Sequence, residues 1–228
     1  MKPLQVVIGY DERESAAIYT FAHSISERSS KPVSFTFLAR NQFEFTDPEQ
    51  KNDYPQSNKF IFSRFLTPQL MDYKGWALFA DGDMLCLDDI SKLFDLADDS
   101  QAVMVVKHDY KTQYPTKYLG AKNEDYPRKN WSSVVLFNCA HPANRCLTKT
   151  FIEASNGAYL HRFGWLNDDQ IGELPKEWNH LVLENEENLK AKIVHYTVYG
   201  PYHNGHEDVE FVNEWRNAFV NMNRCDQA

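Results

Sequence analysis

The sequence predicts an α/β fold with a mostly parallel central sheet flanked by helices. The apolar run "LQVVIG" ends on glycine, residues at helical spacing follow from Ser15 to Ser26, and a second β-rich run starts at Val33. A strand, a helix and a strand in this order form a βαβ unit, whose two strands are parallel. Because 228 residues suit one large α/β unit, we expect a single domain over residues 1–228.

The later elements continue this pattern. The segment "NKFIFSRFLTPQLM" predicts a helix interrupted near Pro68, and "WALFA" predicts a central strand. Two further strands are expected at "QAVMVVKH" and "SSVVLFN", and a helix from Ala143 to Asn156. The segment "LKAKIVHYT" predicts a late strand that ends at His195.

A polar segment from Asp109 to Asn130 separates two of these strands. It is too hydrophilic for the core and longer than a routine loop. We therefore expect a mobile segment that becomes ordered over a bound ligand.

Charge and hydropathy exclude several classes of protein. The net charge of −8 argues against nonspecific nucleic-acid binding, which depends on lysine and arginine neutralising phosphates. The first residues are too short an apolar run for a signal peptide, and no stretch approaches the ~18 apolar residues of a transmembrane helix. We expect a cytoplasmic protein, with association to a membrane surface left open.

Two aspartates follow the predicted central strand. Asp81 and Asp83 are separated by Gly82, so both side chains can face the same space while the backbone approaches a neighbour closely. Open α/β sheets bind ligands at the carboxyl ends of their strands. Two carboxylates suit Mg²⁺ or Mn²⁺ shared with a substrate phosphate, although the spacing alone also allows a solvated turn or a helix cap.

His195 ends the late strand, where a histidine is either a structural residue or a ligand for a metal such as Mn²⁺. The sequence pattern alone does not decide between these two interpretations.

The order of the motifs "VVIGYDE", "FSRFLTPQL", "WALFADGDMLCLDDISKLF", "SSVVLFN", "NDDQ" and "VHYTVYGPYH" resembles one enzyme family. It is similar to the nucleotide-sugar glycosyltransferases of GT-A fold, especially the glycogenin and bacterial lipopolysaccharide galactosyltransferase family. The resemblance covers roughly Val6 to Tyr202. It implies transfer of a hexose from a nucleotide diphosphate sugar, expected to be a UDP-sugar, to a saccharide or glycan acceptor, with retention of anomeric configuration.

The resemblance also implies a metal site. In the family, aspartates at the positions of Asp81 and Asp83 hold Mn²⁺ (or Mg²⁺) against the nucleotide diphosphate, and a late histidine at the position of His195 completes the metal shell.

Donor-binding residues follow from the same resemblance. Tyr10 and Asp11 match the turn that meets the nucleoside, and Arg64 matches an arginine that lines the nucleotide-sugar pocket, unless Arg64 faces water or forms an ion pair. Asp81 and Gly82 are also expected to contact the donor.

Asp169 and Gln170 match the "DQ" pair beside the anomeric carbon and are the predicted catalytic residues. Asp168 could equally be a solvated neighbour, and Trp165 is the aromatic residue expected to contact the acceptor.

One departure from the family pattern concerns the diphosphate. The family carries Lys-Pro-Trp after the late histidine, and its lysine contacts the diphosphate, whereas this chain has Gly200, Pro201 and Tyr202. His203 or His206 could substitute for that lysine, or both could be ordinary loop residues.

Two alternatives to a glycosyltransferase stay open at this point. A haloacid-dehalogenase-like phosphohydrolase also places a DxD motif after an apolar strand, but its nucleophile usually lies nearer the start of the chain. The missing lysine would also fit a nucleotide-sugar binding protein that has lost catalysis.

Overall fold

The computed structural model describes residues 2–39, 60–117, 120 and 122–225. The strands in these residues are β1 (Leu4–Tyr10), β2 (Val33–Ala39), β3 (Trp76–Ala80), β4 (Met84–Cys86), β5 (Val103–Val105), β6 (Val134–Asn138), β7 (Ile171–Glu173), β8 (His180–Leu181) and β9 (Ile193–His195). The α-helices are α1 (Ser15–Arg28), α2 (Thr67–Leu70), α3 (Ser91–Phe94), α4 (Lys149–Ala154), α5 (Gly157–His161) and α6 (Val212–Met222). Short 3-10 turns lie at Glu12–Glu14, Ser63–Leu66, Pro142–Cys146, Asp168–Gln170 and Lys176–Asn179.

The central sheet has six strands in the order β2-β1-β3-β6-β5-β7. β1 pairs in parallel with β2 and β3, and β5 pairs in parallel with β7. Only β6, among the strands of this described sheet, runs against its neighbours β3 and β5. The predicted α/β class with a mostly parallel central sheet is confirmed.

Both faces of this sheet are covered. On one face, Ile18, Phe21 and Ile25 of α1 pack with the strands in one apolar cluster. On the other face, Phe65 and Phe137 belong to a second cluster. Burial on both faces explains why "WALFA" and "VVLFN" are almost continuously apolar instead of alternating.

A second, three-stranded sheet in the order β4-β9-β8 was not predicted. β4 is antiparallel to β9, with Met84 opposite His195. Beside this pair, the backbone N–H of Tyr196 donates to the carbonyl of Asp83 at 2.9 Å. The small sheet therefore brings the end of β9 next to the aspartates that follow β3.

The helix predicted around Pro68 is divided differently in the structure. A 3-10 turn covers Ser63–Leu66 and α2 begins directly after it at Thr67, while Asn58 and Lys59 lie outside the described residues. Pro68 lies in the first turn of α2, where a proline needs no N–H partner. It therefore begins this helix and does not interrupt a longer one.

The helix predicted from Ala143 to Asn156 is also divided, into the 3-10 turn Pro142–Cys146 and α4. The Thr148 side chain accepts from the backbone N–H of Phe151 at 3.2 Å and so caps α4 at its start. None of the helices in the described residues is long and apolar enough to cross a bilayer.

Candidate active site

Three predicted metal ligands come together at the carboxyl end of β3. Asp81 follows β3, Asp83 precedes β4, and His195 is the last residue of β9. One ligand atom from each side chain lies within 4.8 Å of the others, and all three residues are buried. Strands of both sheets thus bring the three side chains together.

Two carboxylate oxygens in this cluster lack hydrogen bonds. Asp83 Oδ1 lies 3.3 Å from His195 Nε2, and Asp81 Oδ1 lies 2.9 Å from Nη1 of Arg64 in an ion pair. Neither oxygen has an aligned hydrogen-bond donor among the described residues. A buried carboxylate oxygen is costly unless something compensates its charge, and two such oxygens with an imidazole nitrogen suit Mn²⁺ or Mg²⁺.

Gly82 allows the two aspartates to fit between β1 and α1. A Cβ atom at this position would lie 2.4 Å from Cγ1 of Ile18 and 2.7 Å from the carbonyl oxygen of Gly9. The backbone of Asp81 is held from the other side, because its N–H donates to the carbonyl of Ser133 at 2.9 Å. A larger residue than glycine would therefore displace the carboxylates.

Asn179 and Ser133 orient the histidine and were not predicted from the sequence. The Ser133 hydroxyl donates to the carbonyl of Asn130 at 2.8 Å, so it accepts from the Asn179 amide at 2.9 Å. The Asn179 carbonyl oxygen then faces Nδ1 of His195 at 3.1 Å. In the neutral imidazole this network places the proton on Nδ1 and the lone pair on Nε2, the atom beside Asp83.

Arg64 is buried, so it does not face water, but it does form an ion pair with Asp81. Its Nη1 donates to the carbonyl of Ser132 at 2.8 Å, and its guanidinium carbon lies 5.1 Å from the ring centre of Phe79. Its Nε has no hydrogen-bond partner within the described part of the chain. The arginine is thus held beside Asp81 by the contacts of its Nη1 with Asp81 and Ser132.

The two aspartates differ in their pKa. Burial raises the pKa of Asp81 to about 6, against the opposing effect of the Arg64 charge. Burial would also raise the pKa of Asp83, but the neighbouring His195 and other groups outweigh burial and lower it. Both carboxylates are therefore mainly ionised at neutral pH, as metal ligands must be.

Glu14 is a further buried carboxyl group beside the site. It is 7% exposed, and its Oε1 has no hydrogen-bond partner among the described residues. Burial first, and then the negative charge of Asp83, raise the pKa of Glu14 from 4.5 to about 8. The burial of Glu14 could not be predicted from the sequence, since "YDERES" looks like a solvated helix start.

We expect Glu14→Gln to stabilise the metal-free protein at high pH. Below pH 4.5 the Glu14 carboxyl is protonated in both the folded and the unfolded protein. As the pH rises towards 8, the carboxyl ionises first in the unfolded protein, so the free energy of unfolding falls by an amount on the order of a few kcal/mol. Glutamine does not ionise. The gain in melting temperature over the parent should grow from about pH 5 to about pH 8.5, and a gain independent of pH would contradict it.

A cavity of about 400 Å³ opens beside Asp81 and Arg64. Much of its wall comes from the polar segment 109–130, including Lys117, Tyr126 and Lys129. The predicted position of this segment near the site is therefore observed, while its mobility stays a prediction.

The predicted nucleoside residues lie at the end of β1 and directly after it, and β1 pairs with β3, the strand that precedes Asp81. The buried Asp11 carboxylate accepts from the backbone N–H of Arg13 at 3.1 Å and from its Nε at 2.9 Å, and so caps the turn before α1. Tyr10 packs edge-on against Tyr19 and Phe37. Their contact with a nucleoside stays a prediction.

The predicted catalytic pair lies in the 3-10 turn before β7. Asp169 is exposed, and Gln170 Oε1 accepts from the backbone N–H of Asn167 at 2.9 Å. Among the described residues, the cavity lining includes neither of them. The adjacent Asp168 forms an ion pair with Arg128 of the polar segment, so the turn adjoins the same segment that walls the cavity.

Trp165 and His206 make structural contacts. The Trp165 indole N–H donates to Asn144 Oδ1 at 3.2 Å, and its ring packs edge-on against Phe65. His206 stacks on Tyr199 with ring centres 3.7 Å apart.

Comparison with known proteins identifies the family. The sequence model described as Glycosyl transferase family 8 matches residues 3–202. "Protein CDI" of Arabidopsis thaliana is 44% identical over 234 residues, which cover 98% of this chain and 88% of that protein.

Solved structures show the same fold. The galactosyltransferase LgtC, in complex with donor and acceptor sugar analogs, superposes with a TM-score of 0.64 at 13% identity over 98% of both chains. The bifunctional glycosyltransferase WbbM gives a TM-score of 0.66 at 16% identity over 96% of this chain, which spans 50% of the WbbM chain. With this fold, an Asp–Asp–His cluster and a family match over residues 3–202, the chain belongs to glycosyl transferase family 8 and is a glycosyltransferase.

Proposed function

We propose that the protein transfers a hexose from a UDP-sugar to a saccharide or glycan acceptor, with retention of configuration and with Mn²⁺ or Mg²⁺ bound by Asp81, Asp83 and His195. The observation that carries this proposal is the buried cluster of these three side chains beside a cavity. Its two carboxylate oxygens without hydrogen bonds are the ligand atoms.

The transfer breaks the bond between the sugar C1 and the diphosphate oxygen, which keeps the electron pair, while an acceptor hydroxyl bonds to C1 and gives its proton to the departing diphosphate. When bound, the metal ion stabilises the negative charge of the leaving diphosphate as a Lewis acid. Arg64, which pairs with Asp81 and lines the cavity, donates to the same diphosphate.

The remaining roles concern the donor's two ends. Tyr10 and Asp11 contact the nucleoside, and Gly82 lets the ligand approach the backbone closely. Asp169 and Gln170 face the sugar and support positive charge as it develops at C1. Asp169 is exposed, so a bound sugar can reach its carboxylate.

A panel of nucleotide sugars tested by thermal shift, with and without Mn²⁺, checks the proposal. A donor at 100 times its Kd stabilises the native state by about 2.7 kcal/mol, which is about 5–10 °C for a chain of this size. We expect this shift for a UDP-sugar only when Mn²⁺ is present, followed by measurable release of UDP. Equal shifts without metal, or no shift with any nucleotide sugar, would contradict the proposal.

A further inference from the structure

A serine and a histidine form a hydrogen-bonded pair in the wall of the cavity. Ser132 Oγ and His161 Nδ1 lie 2.7 Å apart, and both residues line the cavity. They come from distant parts of the chain, since Ser132 lies just before β6 and His161 is the last residue of α5. Neither residue belongs to the Asp–Asp–His cluster, so the pair can meet a different part of a bound ligand.

The backbone of Ser132 is fixed by the same arginine that pairs with Asp81. Nη1 of Arg64 donates to the Ser132 carbonyl at 2.8 Å and lies 2.9 Å from Asp81 Oδ1. Ser132 is only 4% exposed, so its hydroxyl group depends on partners in the protein or in a ligand. One side chain, that of Arg64, therefore joins the hydroxyl–imidazole pair to the metal ligands.

The imidazole of His161 lies at the cavity end of α5. Gly157 and Ala158, about one turn earlier on this helix, also line the cavity, and their small side chains leave space beside the ring. The ring of Phe65 packs edge-on against the imidazole, with ring centres 5.3 Å apart. These contacts hold the ring with Nδ1 towards Ser132.

The surroundings of the imidazole indicate which side chain of the pair donates. Burial lowers the pKa of His161 well below its ordinary value, so the ring is neutral at pH 7 and carries one proton. The backbone of Ile61 opposes this pKa shift, as an acceptor beside a ring N–H does, and Nε2 makes no aligned hydrogen bond elsewhere in the described part of the chain. The proton is therefore favoured on Nε2, and Nδ1 accepts from the Ser132 hydroxyl.

A hydroxyl group that donates to Nδ1 keeps only its lone pairs for a ligand. Ser132 Oγ can then accept a hydrogen bond, which suits a sugar hydroxyl and not an ionised phosphate oxygen, since that oxygen is itself an acceptor. The nucleoside end of a donor is expected elsewhere, because the described lining of the cavity includes neither Tyr10 nor Asp11. The pair therefore fits the sugar.

We propose that Ser132, oriented by His161, accepts a hydrogen bond from one hydroxyl group of the donor hexose and so selects hexoses that carry this hydroxyl over the corresponding deoxysugars. Ser132 is the residue that contacts the sugar, and His161 is a positioning residue. This inference rests on the proposed function, since it needs a nucleotide sugar whose hexose enters the cavity.

Kinetics with the UDP-hexose that the thermal-shift panel identifies, and with its monodeoxy analogues, test the proposal. We expect the parent to lose about tenfold or more in kcat/KM for the analogue that lacks the hydroxyl bound by Ser132. Ser132→Ala should lose about 3–10-fold with the complete donor and no more when this hydroxyl is absent. Because both donors are compared on the same variant, a loss of stability cancels from the ratio.

Two variants of His161 test its positioning role. Asparagine carries an amide oxygen near the position of Nδ1, so His161→Asn should retain most of the preference for the complete donor, whereas His161→Leu should lose it. The affinity for UDP with Mn²⁺ should stay unchanged in all of these variants, because UDP has no sugar. Ser155→Ala is the matched control, since it removes a hydroxyl at the end of α4 that donates to the Phe151 carbonyl at 2.7 Å.

The donor preference decides the outcome. If the parent shows no preference among the analogues, or if Ser132→Ala keeps the preference of the parent, Ser132 does not select the sugar and the proposed function still stands. If His161→Leu keeps a preference that Ser132→Ala loses, the positioning role of His161 is wrong. If the parent transfers from no UDP-hexose with Mn²⁺, the proposed function itself fails, and this inference with it.

Discussion

Asp83→Asn is expected to abolish metal-dependent binding of UDP while the protein stays folded. Asparagine keeps the shape of the side chain but removes the charge that would face the cation. Loss of a side chain that itself binds the metal should cost more affinity than the 10–100-fold typical of losing a partner that only orients such a side chain. We therefore expect Mn²⁺ affinity to fall by more than about 100-fold in a calorimetric titration of UDP and Mn²⁺. The same loss is expected for Asp81→Asn.

Asp88→Asn is the matched control for this experiment. Asp88 follows Asp83 and strand β4 in the sequence, but its Oδ1 forms an ion pair with Nζ of Lys92 at 2.6 Å at the surface. The control should bind UDP and Mn²⁺ like the parent. The proposed metal site would be wrong if the Asp81 and Asp83 variants both kept the affinity of the parent.

Asp169→Asn and Gln170→Ala are expected to slow transfer much more than they weaken donor binding. Polar groups that face the sugar act on charge that develops in the transition state, so their loss lowers kcat by about 10²–10³-fold. Donor affinity should change by less than about threefold, because the diphosphate and the nucleoside are held elsewhere. Steady-state rates and calorimetric donor affinities, measured on the same samples, check both halves of this prediction.

Two further variants separate chemistry from local structure in this turn. Gln170→Glu keeps the side-chain oxygen that accepts from the N–H of Asn167, so it preserves the cap that Gln170→Ala removes. Asp168→Asn tests an exposed neighbour that pairs with Arg128 and should retain most activity. Wild-type turnover in both Asp169→Asn and Gln170→Ala would remove the catalytic assignment and leave only the binding site.

The first half of the fold and the position of the two carboxylates could be predicted from the sequence alone. Strands β1, β2 and β3 and helix α1 were all predicted, because continuous apolar runs and helical spacing reflect burial of one segment against its neighbours. The position of Asp81 and Asp83 after β3 follows from the same pattern. The end of β9 at His195 was likewise predicted.

The residues that surround these ligands could not be predicted, because they are brought there by contacts between distant segments. Pairing of β4 with β9 brings His195 to Asp83, and strands of three residues are too short to show a periodicity. The burial of Glu14 and the cavity that Lys117 and Asp81 line together also arise from segments distant in sequence. A charged side chain in a polar stretch looks solvated in the sequence, because its burial is set by what folds over it and not by its neighbours along the chain.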